Sequence, residues 1–185
     1  IMLKLIASAG LALGLTFGVA QAATVEFTED DLVTGTSVTV DGLTLDVTTT
    51  GGVVTNYVDP SFGTTRVRGS GIYIGPRTAE GNYQLNFSTA VTSLEFTFDW
   101  LTDRAQPGNT ETITNFEADG AAAAIGYTDL GGTSFDGTTI TTSSRTGEGT
   151  ISYSGAAFNT FSFDHTQGFN TIGFVIRNVQ VATVP

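Results

Sequence analysis

The chain has 185 residues, seven basic against eighteen acidic side chains for a formal charge of −11, and no cysteine. That balance argues against nucleic acid as a partner, because a polyanion is held by clustered cations that displace its counterions. The missing cysteines exclude a disulfide framework, a thiolate metal site and a cysteine nucleophile, so stability has to come from the core.

The first element in chain order is "MLKLIASAGLALGLTFGVAQAA". It has one early cation at Lys4, an apolar stretch from Leu5 to Val19 and the small-x-small site Ala20-Gln21-Ala22. This is the layout of a secretory signal peptide, expected as a helix over residues 1–22. A membrane anchor is the alternative, since about 20 apolar residues span a bilayer, but the Ala/Gly-rich run leads straight into a cleavage motif. Residues 23–185 are expected to form a single domain. That part keeps six arginines, no lysine and every acid, for a formal charge of 6 − 18 = −12.

Thirty-three threonines and thirteen phenylalanines, with abundant Val and Ile, favour strands, since β-branched and aromatic side chains fit a pleated, half-buried surface. "TSVTV" and "LTLDVT" are joined by Asp41-Gly42, and Asp-Gly supplies the positive φ values of a tight hairpin. "NYQLNF" sets Tyr83, Leu85 and Phe87 against Asn82, Gln84 and Asn86. "TSLEFTFDW" sets Leu94, Phe96, Phe98 and Trp100 against Glu95, Thr97 and Asp99. Asp119-Gly120 separates "TITNFEA" from "AAAAIGY", Asp136-Gly137 precedes "TTITT", and "NTFSFD" alternates again with Phe161 and Phe163 inward. In "GFVIRNVQVATVP" the apolar parity of Phe174 and Ile176 passes to Val179 and Val181, which a β-bulge near Arg177-Asn178 or a strand buried on both faces would explain. The sum is roughly ten to twelve short strands, the pattern of an all-β, antiparallel, jelly-roll-like β-sandwich.

The export signal, "VDGLTLDVT", "YQLNFSTAVTSLEFTFDW" and "FNTFSFDHTQGFNTIGFVIRNVQVATVP" together resemble the sandwich domains of bacterial proteins in the PEP-CTERM sorting class. In that family the last strand commonly reads "GFxIDNVxV" and runs into "VP". The ending "VATVP" resembles the variant whose motif reads Val-Pro-Leu-Pro-Ala. Arg177 stands where the family usually has Asp. The resemblance implies a sorting segment after Pro185 and a secreted protein of the outer cell surface or extracellular matrix of a bacterium. It further implies an association with exopolysaccharide and biofilm, structural and without catalytic activity. Membrane contact would come only through that missing C-terminal segment or an uncleaved signal. The resemblance brings no site residues, so chemistry has to be sought position by position.

A serine triad would need the sole histidine, His165, as its base, and no Gly-x-Ser-x-Gly elbow is present; His165 continues the Phe161 and Phe163 face and reads as structural. Glycoside hydrolysis needs two carboxyl groups about 5–9.5 Å apart. Glu95 and Asp99 share a face, but four strand residues separate them by about 13 Å, so a polysaccharide hydrolase or lyase would need a cross-strand partner such as Asp164. Calcium takes six to eight oxygens, for which Glu29, Asp30 and Asp31, with Asp99 and Asp103, are the candidate ligands. A calcium-assisted carbohydrate-binding module would use tyrosine platforms, Tyr57, Tyr73, Tyr127 and Tyr153, beside the amide row Asn82, Gln84 and Asn86, with extracellular polysaccharide as partner. That module would display exposed tyrosines near a carboxylate cluster, a hydrolase would display converging carboxylates in a cleft, and a structural protein neither.

Overall fold

The computed structural model describes residues 22–57, 70–76, 80–101, 110–142, 147–167 and 173–184, except the side chain of Trp100. The expected signal-peptide helix, apart from Ala22, lies outside the described residues, as do Asp103 and the burial expected for Trp100.

The chain is all-β and antiparallel. Its strands are β1 (Thr24–Phe27), β2 (Ser37–Val40), β3 (Leu43–Thr50), β4 (Val54–Tyr57), β5 (Gly71–Ile74), β6 (Gly81–Leu101), β7 (Thr112–Ala118), β8 (Ala121–Ala122), β9 (Gly126–Gly131), β10 (Thr133–Phe135), β11 (Ile140–Thr142), β12 (Gly147–Thr166) and β13 (Phe174–Thr183). One four-residue helix, α1 (Glu29–Leu32), follows β1. All thirteen strands belong to one sheet with the path β10-β11-β7-β12-β6-β13-β5-β4, and the sheet curls into a half-barrel.

The hairpins form where Asp-Gly stands. Asp41 and Gly42 take φ of 49° and 80° between Val40 and its partner Leu43, and Asp119 and Gly120 take 49° and 76° between Ala118 and Ala121. Both pairs thus supply the two left-handed residues of a tight turn. Asp136-Gly137 works differently: Asp136 Oδ1 accepts the Thr138 and Thr139 N–H groups at 2.9 and 2.8 Å, organising the four residues between Phe135 and Ile140.

"NYQLNF" and "TSLEFTFDW", read as two strands, are one. No Gly or Pro lies in the intervening "STAV" to break pairing, so β6 runs for 21 residues and changes partner midway. Its first half pairs with β3 from Asn82 to Phe87; the same edge then pairs with β13 from Val91 to Asp99. β12 stays beside β6 throughout, but its register shifts between Ser154 and Phe158 and again before Thr160, and its other edge changes from β9 to β7. Such irregularities bend a strand and increase its twist. Here they let one sheet fold over its own apolar face. Phe96 from one half stacks on Phe163 from the other at 5.9 Å, and Phe163 meets Phe174 at 6.1 Å. All three rings are fully buried.

The expected bulge is present. Ile176 pairs with Phe98 and Asn178 with Thr97, leaving Arg177 as an extra residue. This transfers burial from Phe174 and Ile176 to Val179 and Val181.

Because Phe96 joins the two halves, Phe96→Ala should lower the unfolding free energy by about 3–5 kcal/mol in chemical denaturation. A loss below about 1 kcal/mol would mean the halves are held elsewhere.

Candidate functional site

Glu26 lies between the buried Val25 and Phe27, Glu95 between Leu94 and Phe96, and Gln180 between Val179 and Val181. Strand alternation therefore turns all three polar side chains outward. Register then aligns them: Glu26 is opposite Gln180, Gln180 opposite Glu95, Glu95 opposite Ser152 and Ser152 opposite Gly126. Neighbouring members of this row are about 4.8 Å apart. Two hollows meet along it. One, of about 430 Å³, is floored by Thr24, Ser93, Ser152, Ser154, Gly126 and Ala182. The other, of about 540 Å³, lies among Glu26, Glu29, Thr97, Arg177 and Asn178. Glu95 and Gln180 line both.

The bulge places Arg177 at the far end of this groove. Its guanidinium approaches Glu29 Oε2 at 3.4 Å and the buried Asp99 Oδ2 at 3.8 Å, so its charge is offset on the spot. Asn178 Nδ2 donates to Glu26 Oε1 at 2.6 Å. Among the described residues, Glu95 and Gln180 make no side-chain hydrogen bond or ion pair with one another or with neighbours.

The acids singled out for calcium are distributed otherwise. Glu29 Oε1 accepts the Ser70 N–H at 2.6 Å, while Asp31 Oδ2 accepts the Thr28 N–H at 2.9 Å and the Thr28 hydroxyl at 2.7 Å, closing the start of α1. Asp30 is exposed, and Asp99 faces Arg177. Among the described residues no three Asp, Glu or His side chains converge as a metal site.

The tyrosines pack against other rings. Tyr57 and Tyr73 meet edge to face at 5.6 Å; Tyr127 stacks on Phe98 at 6.4 Å and bonds its hydroxyl to Thr133. Burial pushes the Tyr127 phenol pKa up. Tyr153 lies against Phe158 and Phe161 at 5.3 and 5.8 Å, yet also lines the smaller hollow. It alone of the four adjoins the groove.

The amide row sits on the other half of the sheet and is internally bonded. Asn86 Nδ2 donates to Thr48 Oγ1 and to the Asp46 carbonyl at 3.0 and 3.1 Å, and its Oδ1 accepts the Thr160 hydroxyl at 3.1 Å. Gln84 donates to Asn82 at 3.3 Å, and Asn82 to Asp164 at 3.0 Å. Asp164 is thereby opposite Asn82, whereas Glu95 is opposite Ser152. The cross-strand carboxylate that would have closed the gap to Glu95 is thus on the wrong half of β6.

His165 and Glu111 are both fully buried, with His165 Nε2 3.8 Å from Glu111 Oε2. Glu111 Oε1 accepts the Gly173 N–H at 2.8 Å, and the imidazole packs edge-on to Phe174 at 5.1 Å. This unit ties three chain segments together and lies away from the groove. Glu111 carried no signal in the sequence, because only tertiary packing brings it to His165.

Comparison of the chain with models of protein families, with curated proteins and with solved structures finds no match.

Glu111→Leu would leave the Gly173 N–H without its buried acceptor and remove the carboxylate that faces the imidazole, and should cost about 1–3 kcal/mol on denaturation. Asp30→Asn, on the exposed turn, should stay within about 0.5 kcal/mol. A further prediction concerns acid. The Thr133 hydroxyl, then the Gly131 and Thr133 N–H groups, hold the Asp129 carboxyl below its ordinary value. Its contribution is present above the unfolded pKa of about 3.9 and is lost as pH falls through the lower folded value. Asp129→Asn should therefore melt below wild type at neutral pH, and the two melting curves should converge under strong acid.

Proposed function

We propose that this chain is an exported structural component of the bacterial cell surface or extracellular matrix, acting without catalysis. The observation that carries the reading is how the polar groups are engaged. The aromatic platforms and amides that would mark a ligand face are instead bonded within the sheet, as Asn86 is to Thr48, Asp46 and Thr160. Such a domain puts its hydrogen bonds into its own persistence. The resemblance of "GFVIRNVQVATVP" to PEP-CTERM terminal strands supports placement at the surface, and the leader "MLKLIASAGLALGLTFGVAQAA" supports export. The contact of Phe96 with Phe163 across the curl supports reading the sheet as a jelly-roll-like sandwich.

A second reading, a carbohydrate-binding module assisted by calcium, is favoured by the groove around Glu95 and Gln180. Of the acids read as calcium ligands, Glu29 lines the larger hollow and Asp99 lies against Arg177 at its end.

The test is immunogold labelling of intact cells expressing the chain with and without residues 1–22, with a reducing-end assay on matrix polysaccharide. Label at the surface only when the leader is present, without new reducing ends, is the expected result. Label confined to the cytoplasm, or release of reducing ends, would overturn the proposal.

A further inference from the structure

We propose that the outer-face groove centred on Glu95 binds an extended amino-sugar polymer, a chain of hexosamine units with free, protonated amines. This rests on the matrix reading for its setting, and on the groove itself for its chemistry.

The shape comes from the row Glu26, Gln180, Glu95, Ser152 and Gly126, which crosses five adjacent strands, β1, β13, β6, β12 and β9. Strand spacing sets a repeat of about 4.8 Å along it, close to the advance of one pyranose unit in an extended chain. A linear glycan laid across the strands would meet each strand with successive rings. The floor is kept low by Ser93, Ser152, Ser154, Ala182 and Gly126. A Cβ on Gly126 would stand 2.5 Å from Ser152 Oγ, so a larger residue there would displace the serine that forms the floor.

The chemistry is hydroxylic and amidic. Serine and threonine hydroxyls and the carboxamides of Gln180 and Asn178 can both donate to and accept from sugar hydroxyls. Tyr153 adds an aromatic edge at the smaller hollow. Among the described residues no large aliphatic pocket opens into the groove to receive the side chains of a peptide, since Leu94 and Val181 are buried beneath it.

Charge selects the class of sugar. Glu26, Glu29 and Glu95 line the groove, and among the described residues Arg177 is the one cation there, already offset by Glu29 and Asp99. Glu95 therefore presents an uncompensated carboxylate at the point where the two hollows join. An anionic polysaccharide would be repelled there, and a neutral one would leave that charge without an ionic partner. A protonated amine on the ring opposite Glu95 would supply a charge-assisted hydrogen bond.

The experiment is calorimetric titration of residues 23–185 with a glucosamine hexamer at low salt and mildly acidic pH, alongside the fully N-acetylated hexamer, calcium chloride and an oligolysine. Two variants are tested with it: Glu95→Gln, which removes charge at constant shape, and Ser154→Trp, which fills the smaller hollow from an exposed position. The glucosamine hexamer should bind, and N-acetylation and Glu95→Gln should each weaken it by about tenfold, the value of one ionic contact near 1.4 kcal/mol. Ser154→Trp should abolish binding while the melting temperature stays unchanged. The proposal falls if the acetylated hexamer binds equally well, if both variants bind as wild type, if oligolysine binds as tightly as the sugar, or if only calcium gives a signal. Surface label with no hexosamine binding would sink the groove assignment alone. Binding by a protein confined to the cytoplasm would sink the matrix reading alone.

Discussion

Everything in this domain depends on two strands that do not stop. β6 and β12 run side by side for some twenty residues each, and a flat ribbon of that length could not bury both ends of one apolar face. The register shifts around Ser154, Phe158 and Thr160 resolve the conflict by bending the pair. The bend frees backbone groups, and Asp119 takes them up: its carboxylate accepts the Asn159 and Thr160 N–H groups at 3.0 and 2.8 Å. A hairpin residue with φ of 49° thus serves as the cap of a bend in another strand. Once bent, the two strands offer separate edges to β3 and β13 on one side and to β7 and β9 on the other, and the aromatic interior closes around Phe96, Phe163 and Phe174.

The same bend divides the polar surface into two faces of different character. On one, Asn82, Gln84, Asn86 and Asp164 are engaged in a lattice of amide, hydroxyl and carboxylate bonds. On the other, Glu95 and Gln180 stand beside serines and glycine over an open groove. The first face stiffens the sheet; the second leaves polar groups facing outward. The bulge at Arg177 adds a cation at the end of that groove, but one already committed to Glu29 and Asp99.

Much of the local structure was legible in the sequence. Alternation placed Leu85, Phe96 and Phe161 inside, Asp-Gly marked two hairpins, and the parity change in the last strand located its bulge. These are properties of adjacent residues, which a chain displays directly. The unbroken "STAV" lets the two predicted strands join as β6, but the change of partner midway was not legible, because β3 and β13 impose it. The groove was hidden for a related reason. Glu26, Glu95 and Gln180 could each be assigned to an outer face, but only register puts them in one row. Along its own strand alternation offers Glu95 only Asp99, about 13 Å away, whereas its neighbours in the groove lie across strands. The tyrosines read as platforms are half-buried and packed against other rings, and a half-buried ring and an exposed one produce the same alternation.

One feature of the strand order bears on how the domain would carry load. The start of β1 lies against the end of β13, with Thr24 opposite Ala182. Tension applied through both of these ends would peel the two strands apart one rung at a time, the direction in which a hydrogen-bonded ladder is weakest. Tension applied through β13 alone, with the groove face held, meets a different arrangement. β13 is bonded to β6 along one edge and to β5 and β1 along the other, so its rungs would have to break together in shear. The domain is therefore built to resist a pull at its last strand far better than a pull between its two ends.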